Sequence, residues 1–120
     1  GDTTIKKIHT HARSRDMPLY HAARELVETD EFPAKARRSL MDVVAMFERW
    51  RGLVDTMKHT ELAELILDES GYTAMWQADR SPQAQARLEN LKELVRFMHD
   101  FDTLPGFLEH VSLVMDADQG

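Results

Sequence analysis

Apolar residues recur every three or four positions along almost the whole chain, broken only at Pro, Gly and short polar turns. That period belongs to helices whose apolar faces must be covered, and alternating strand patterns are nearly missing. The longest stripe, Leu40, Val43, Val44, Phe47, Trp50 or Arg51, Val54 and Met57, predicts a helix over about 34–58, entered through Thr29–Phe32 and Pro33. Gly52 interrupts it at about 1 kcal/mol relative to Ala. Before it, a helix is expected from Thr3 to Ser14, capped by Asp2 or Thr3. A second follows Asp16 as N-cap, with Leu19, Ala22, Ala23, Leu26 and Val27 inward. After it, Thr60 is expected to cap a short helix that Gly71 stops, and Tyr72–Ala78 forms another. Ser81-Pro82 opens a helix over about 82–101, and Thr103 and Pro105 start a last one through Met115, with 116–120 frayed. The expected fold is therefore all-α, a multi-helix domain of about six to seven helices around one long helix, with 1–120 forming a single domain.

Composition narrows the classes. At 120 residues there is material for one core of ordinary size. With no cysteine, a disulfide framework and thiolate metal ligation are both excluded, and a cytoplasmic protein is the expectation. No apolar run approaches the ~20 residues of a membrane span, and no basic-then-apolar leader opens the chain, so no membrane partner is expected. The net charge of −6 argues against a polyanion partner until its distribution is read. Residues 1–38 hold eight Lys/Arg against six Asp/Glu, whereas 39–120 hold seven against fifteen. Phosphate contact depends on local charge, so it belongs in the first third.

Catalytic constellations are absent from the sequence. There is no GxxxxGK[ST] phosphate loop, no HExxH and no Glu-x-x-His pair. His9 and His11 stand about 200° apart on a helix and cannot share a metal. His21, His59, His99 and His110 are scattered singly, and Ser39, Ser70 and Ser112 lack an elbow motif. Trp50, Phe47, Trp76, Phe97, Phe101 and Phe107 sit among aliphatics at helical spacing and read as core.

Two segments have phosphate-binding character. Gly1-Asp2-Thr3-Thr4 opens a helix bearing Lys6 and Lys7; glycine permits close backbone approach, and the helix N-terminus favours an anion. Pro33-Ala34-Lys35-Ala36-Arg37-Arg38 places three cations where the helix dipole disfavours them, beside small residues that would let a backbone come near. An ordinary exposed helix start remains an open reading of each.

The same segments carry a family resemblance. Gly1-Asp2-Thr3-Thr4-Ile5, Pro18-Leu19-Tyr20 with Ala22-Ala23-Arg24-Glu25-Leu26, and Lys35-Ala36-Arg37-Arg38-Ser39-Leu40 resemble UvrD/Rep/PcrA-type helicases. So do Glu69-Ser70-Gly71-Tyr72, the helix Ala86-Arg87-Leu88-Glu89-Asn90-Leu91-Lys92-Glu93-Leu94-Val95, and Phe107-Leu108-Glu109-His110-Val111-Ser112-Leu113. Together, in order, they resemble the accessory subdomain called 2B, inserted in the second motor domain and contacting duplex DNA ahead of the fork. Gly1 matches the second glycine of that family's Gly-hydrophobic-Gly turn, Thr3 and Thr4 the positions after it, and Lys35, Arg37 and Arg38 its second contact. The resemblance implies a DNA-binding accessory piece of an ATP-dependent 3′–5′ helicase acting in DNA repair. Its partners would be duplex or fork DNA and the parent's motor domains. No cofactor is expected in this piece, while ATP and Mg would be bound elsewhere in the parent protein. A protein-interaction module whose acidic face docks a partner or motor domain is the competing reading, and apolar positions facing such a partner would let two isolated copies pair.

Overall fold

A computed structural model describes residues 2–119. Among them are seven helices and no strand: α1 (Asp2–Arg15), α2 (Leu19–Leu26), α3 (Ala34–Leu53), α4 (His59–Glu69), α5 (Tyr72–Ala78), α6 (Pro82–Met98) and α7 (Leu104–Gln119). The all-α expectation holds. Contacts divide the chain into two units, Gly1–Arg51 and Gly52–Gly120.

In the first unit, α1, α2 and the loop after α2 share a core of Ile8, Ala12, Ala22, Ala23, Leu26 and Phe32, with Met17, Ala36, Leu40 and Val44 packed against it. The small Ala12, Ala22 and Ala23 let helix backbones approach, while Phe32 fills the space ahead of α3. Asp16 is not the cap of α2, as expected from its residue type. It ends α1 in the left-handed region at φ 51°, and the Met17 N–H donates to the Ala12 carbonyl at 3.0 Å. This six-residue closure satisfies an orphan carbonyl, with Asp where glycine is commonest. The cap position of α2 falls instead to extended Pro18, which has no side chain to cap with. Leu19, expected inward, is exposed although it shares the helical face of the buried Ala22, Ala23 and Leu26; it is the first residue of α2.

The long helix stops at Leu53 rather than 58. The Leu53 carbonyl accepts from both Thr56 and Met57, which closes the chain into a turn just after Gly52. Of its predicted stripe Trp50 is buried, whereas Val43, Phe47 and Val54 stay exposed.

The second unit buries Leu62, Ala84, Met98 and Phe107. Thr60 does not cap α4: the cap is Lys58, and Thr60 lies in the first turn with its side chain turned inward, 1% exposed. His59 Nε2 lies 2.6 Å from the Phe101 carbonyl, tying the start of α4 to the segment between α6 and α7. Phe97, Phe101 and Phe107 gather edge-on around that segment, with His110 edge-on to Phe97 and tilted against Phe101. Gly71, at φ 78°, ends α4 and leads into α5 as expected. Ser81 caps α6 as expected, accepting from the Ala84 N–H at 3.2 Å. That helix ends at Met98, where the His99 N–H turns onto the Val95 and Arg96 carbonyls. α7 continues through Gln119, beyond the expected fraying point, since no Pro or Gly stands between Gly106 and Gln119 to break it.

Candidate nucleic-acid interface

The two basic segments predicted to meet phosphate both lie in the first unit. Gly1 lies outside the described residues. Asp2 occupies the first turn of α1, where its charge complements the helix dipole. Thr3 is exposed, Thr4 half-buried, and Lys6 and Lys7 project to solvent one turn on. Lys7 also has an internal task. Its Nζ donates to the Glu31 carbonyl at 2.9 Å and stands 5.6 Å over the Phe32 ring. One lysine thereby fastens α1 to the loop that delivers α3.

At the start of α3, Lys35 and Arg38 are exposed. Arg37 is half-buried, and its Nε donates to the Val27 carbonyl at 2.7 Å. Val27 is the C-cap of α2, so the guanidinium satisfies a carbonyl at that helix's negative end. This contact offsets the unfavourable placement of Arg37 at its own helix's positive end. Of the cations predicted to meet phosphate, Lys6, Lys35 and Arg38 enter no ion pair among the described residues, whereas Lys7 and Arg37 also serve the fold.

An open hollow beside α1 brings Thr3, Lys6 and Lys7 together with Thr10, His11, Ser14 and Arg15. Sequence reasoning missed the last four. The signal was present in the spacing Thr3, Lys7, Thr10, Ser14, which stacks residues on one helical face. What covered the rest of that helix was not legible.

Elsewhere in the unit, Tyr20, Arg24, Arg51 and Glu48 form one cluster. Tyr20 donates to Glu48, and Arg24 pairs with the same carboxylate at 3.1 Å. Those hydrogen bonds, Tyr20's first, hold the Glu48 carboxyl below its ordinary value, while burial and then Glu48 push the Tyr20 phenol up. In the second unit the Ser81 N–H and hydroxyl lower the Asp79 carboxyl in the same manner. No group of three His, Asp or Glu among the described residues is placed to hold a metal ion, and no helix is long and apolar enough to cross a membrane. The exposed Lys6, Lys35 and Arg38 can meet a phosphate by charge and by donated hydrogen bonds.

The chain is 34% identical over 118 residues to DNA helicase II of Rickettsia typhi, covering 98% of this chain and 18% of that protein. It is 33% identical over 125 residues to the ATP-dependent DNA helicase PcrA of Bacillus subtilis, covering 99% of this chain and 17% of the relative. Against the ATP-dependent DNA helicase UvrD1 of Mycobacterium tuberculosis it is 36% identical over 105 residues, 71% of this chain and 14% of the relative. The chain thus spans less than a fifth of the length of these relatives. No family model matches it.

Proposed function

This chain is homologous, over nearly its whole length, to a part of the UvrD/PcrA-type DNA helicases, and from that premise we propose that it is a 2B-type accessory subdomain contacting duplex DNA. The parent would be an ATP-dependent 3′–5′ helicase of DNA repair, with ATP and Mg bound by motor domains outside these residues. The piece itself performs no catalysis. It holds the duplex near the fork by its phosphates, through the N-terminal segment of the sequence (Gly1, Thr3, Thr4, Lys6, Lys7) and the start of α3 (Lys35, Arg37, Arg38). The observation carrying this reading is the pair of exposed cations, Lys35 and Arg38, at the start of a helix within a helicase-homologous chain.

Binding of this kind is weak and falls steeply with salt, because its free energy comes from released counterions. The test is fluorescence anisotropy of a labelled duplex with a 3′ single-stranded tail, at low and moderate salt. Lys35→Glu with Arg38→Glu is the informative pair, since Arg37 also holds α2. The pair is expected to weaken binding about tenfold or more and to flatten the salt dependence by about one unit of slope per cation. A folded double variant that binds as the native chain does would refute the α3 contact.

A second reading has its own support. Leu108 and Met115, seven residues apart on one face of α7, are 53% and 55% exposed, and Leu113 and Val114 stand exposed on its other sides, so α7 carries apolar surface suited to a motor domain, a partner protein or a second copy. Light scattering across a concentration series, with Met115→Glu alongside, reads whether the face of Leu108 and Met115 pairs two copies.

A further inference from the structure

The hollow beside α1 has a volume of about 600 Å³ and continues past the helix-start residues Thr3, Lys6 and Lys7 to Thr10, His11, Ser14 and Arg15. Its α1 wall carries Lys6 and Arg15 on either edge of a strip of hydroxyls, of which Thr3 and Thr10 form no hydrogen bond within the described residues. Ser14 is turned back onto its own helix, donating to the His11 carbonyl at 3.0 Å. The His11 Nε2 atom is buried, finds no hydrogen-bond partner among the described residues, and lies 3.7 Å from Glu25 Oε1. Across the hollow stand Leu26, Thr29 and Glu31. Glu31 is the one carboxylate in the lining, and its main-chain carbonyl, not its side chain, receives Lys7.

We propose that this side of α1 is a phosphate track: Lys6, Thr10 and Arg15 hold backbone phosphates of a nucleic-acid strand that crosses the helix obliquely, from the Lys6 edge of the hollow to the Arg15 edge, and the Glu31 carboxylate sets the limit on its affinity. The proposal rests on the duplex-contacting reading and extends the contact from the helix start along its side. Length selects the ligand. From Thr3 to Arg15 the helix rises about 18 Å at 1.5 Å per residue, far more than one phosphate occupies. Cations at both edges with neutral donors between them suit a chain of spaced charges. Lys6 and Arg15 enter no ion pair among the described residues, so neither must leave a partner to bind.

Glu31 gives the test a sign that a merely structural role would not produce. Glu31→Gln removes the opposing charge, keeps the carbonyl that receives Lys7, and is expected to tighten duplex binding about twofold, whereas Arg15→Glu weakens it about threefold or more and lowers the salt slope by about one. The assay is anisotropy of the tailed duplex with the whole chain, circular dichroism verifying the fold of each variant. Alongside it, inorganic phosphate and then duplex are titrated against the amide NMR signals of Thr10 and Arg15, which both ligands should move. If Arg15→Glu and Glu31→Gln bind like the native chain while Lys35→Glu/Arg38→Glu does not, the track is overturned and the α3 contact stands. The reverse pattern keeps the track and removes the α3 contact. Movement by inorganic phosphate that duplex neither reproduces nor competes with would make a free oxyanion the ligand and overturn the strand. No duplex binding by the native chain at low salt would overturn both.

Discussion

At the scale of single residues, similar cations in this chain do different work. Arg37 donates to the carbonyl of buried Val27, whereas Lys35 and Arg38 are exposed and form no hydrogen bond or ion pair among the described residues. Arg37→Ala is therefore expected to cost about 1–2 kcal/mol, the penalty of losing a charged donor from a partly buried acceptor. Lys35→Ala and Arg38→Ala should stay within about 0.5 kcal/mol. Urea midpoints of the three variants check this, and equal midpoints would sink the assigned role. Glu48 supplies a pH signature. Its folded pKa is lowered by Tyr20 and Arg24, so its contribution is complete above the ordinary carboxylate value of about 4.3 and is lost as pH falls through the lower folded value. Melting temperatures from pH 7 to pH 2.5 should show a shallower acid-side decline in Glu48→Gln than in the native chain. The difference will be small, because the cluster is solvated.

At the scale of elements, termini decide where helices stop, and two of them make opposite predictions. Asp16 holds the left-handed position that closes α1, where glycine would meet no Cβ penalty. Asp16→Gly is expected to stabilise the chain by about 0.5–1 kcal/mol. Ser81 caps α6 through the Ala84 N–H, and Ser81→Ala should cost about 1 kcal/mol. Denaturant unfolding reads both signs, and a destabilising Asp16→Gly would mean that the Asp16 side chain makes a contact worth more than the strain. Ser81-Pro82 and Gly71 were legible because their residue types act locally. The closure at Asp16 was not, since Asp is equally at home as an N-cap and only the six-residue turn onto Ala12 distinguishes the roles.

At the scale of the whole molecule, the two contact units each contain one tryptophan, Trp50 and Trp76. The single-domain expectation makes both report one transition, since 120 residues supply one core of ordinary size. In Trp50→Phe and Trp76→Phe variants the remaining tryptophan follows unfolding of its own unit. Coincident midpoints, after correction for each substitution's own cost, are the expected outcome. Separated midpoints would make the units two domains.

What residue order alone determined is what depends on near neighbours. A 3.6-residue apolar period leaves no element but the helix, Pro and Gly punctuate it, and the local surplus of cations in residues 1–38 places the candidate interface in the first unit. The resemblance of ordered short segments likewise led to the helicase family that the aligned relatives bear out. Tertiary structure decided which of those cations are also committed to the fold. Lys7 reaches Glu31 across 24 positions, and Arg37 reaches Val27 across 10, distances over which no periodicity carries information. It also decided which face of a stripe is covered: Leu19 and Val43 share the pattern of Ala22 and Leu40, yet stay in water. Hydrophobic burial is non-directional, so a stripe states that some surface must be hidden, and only the packed partner determines which part of it is.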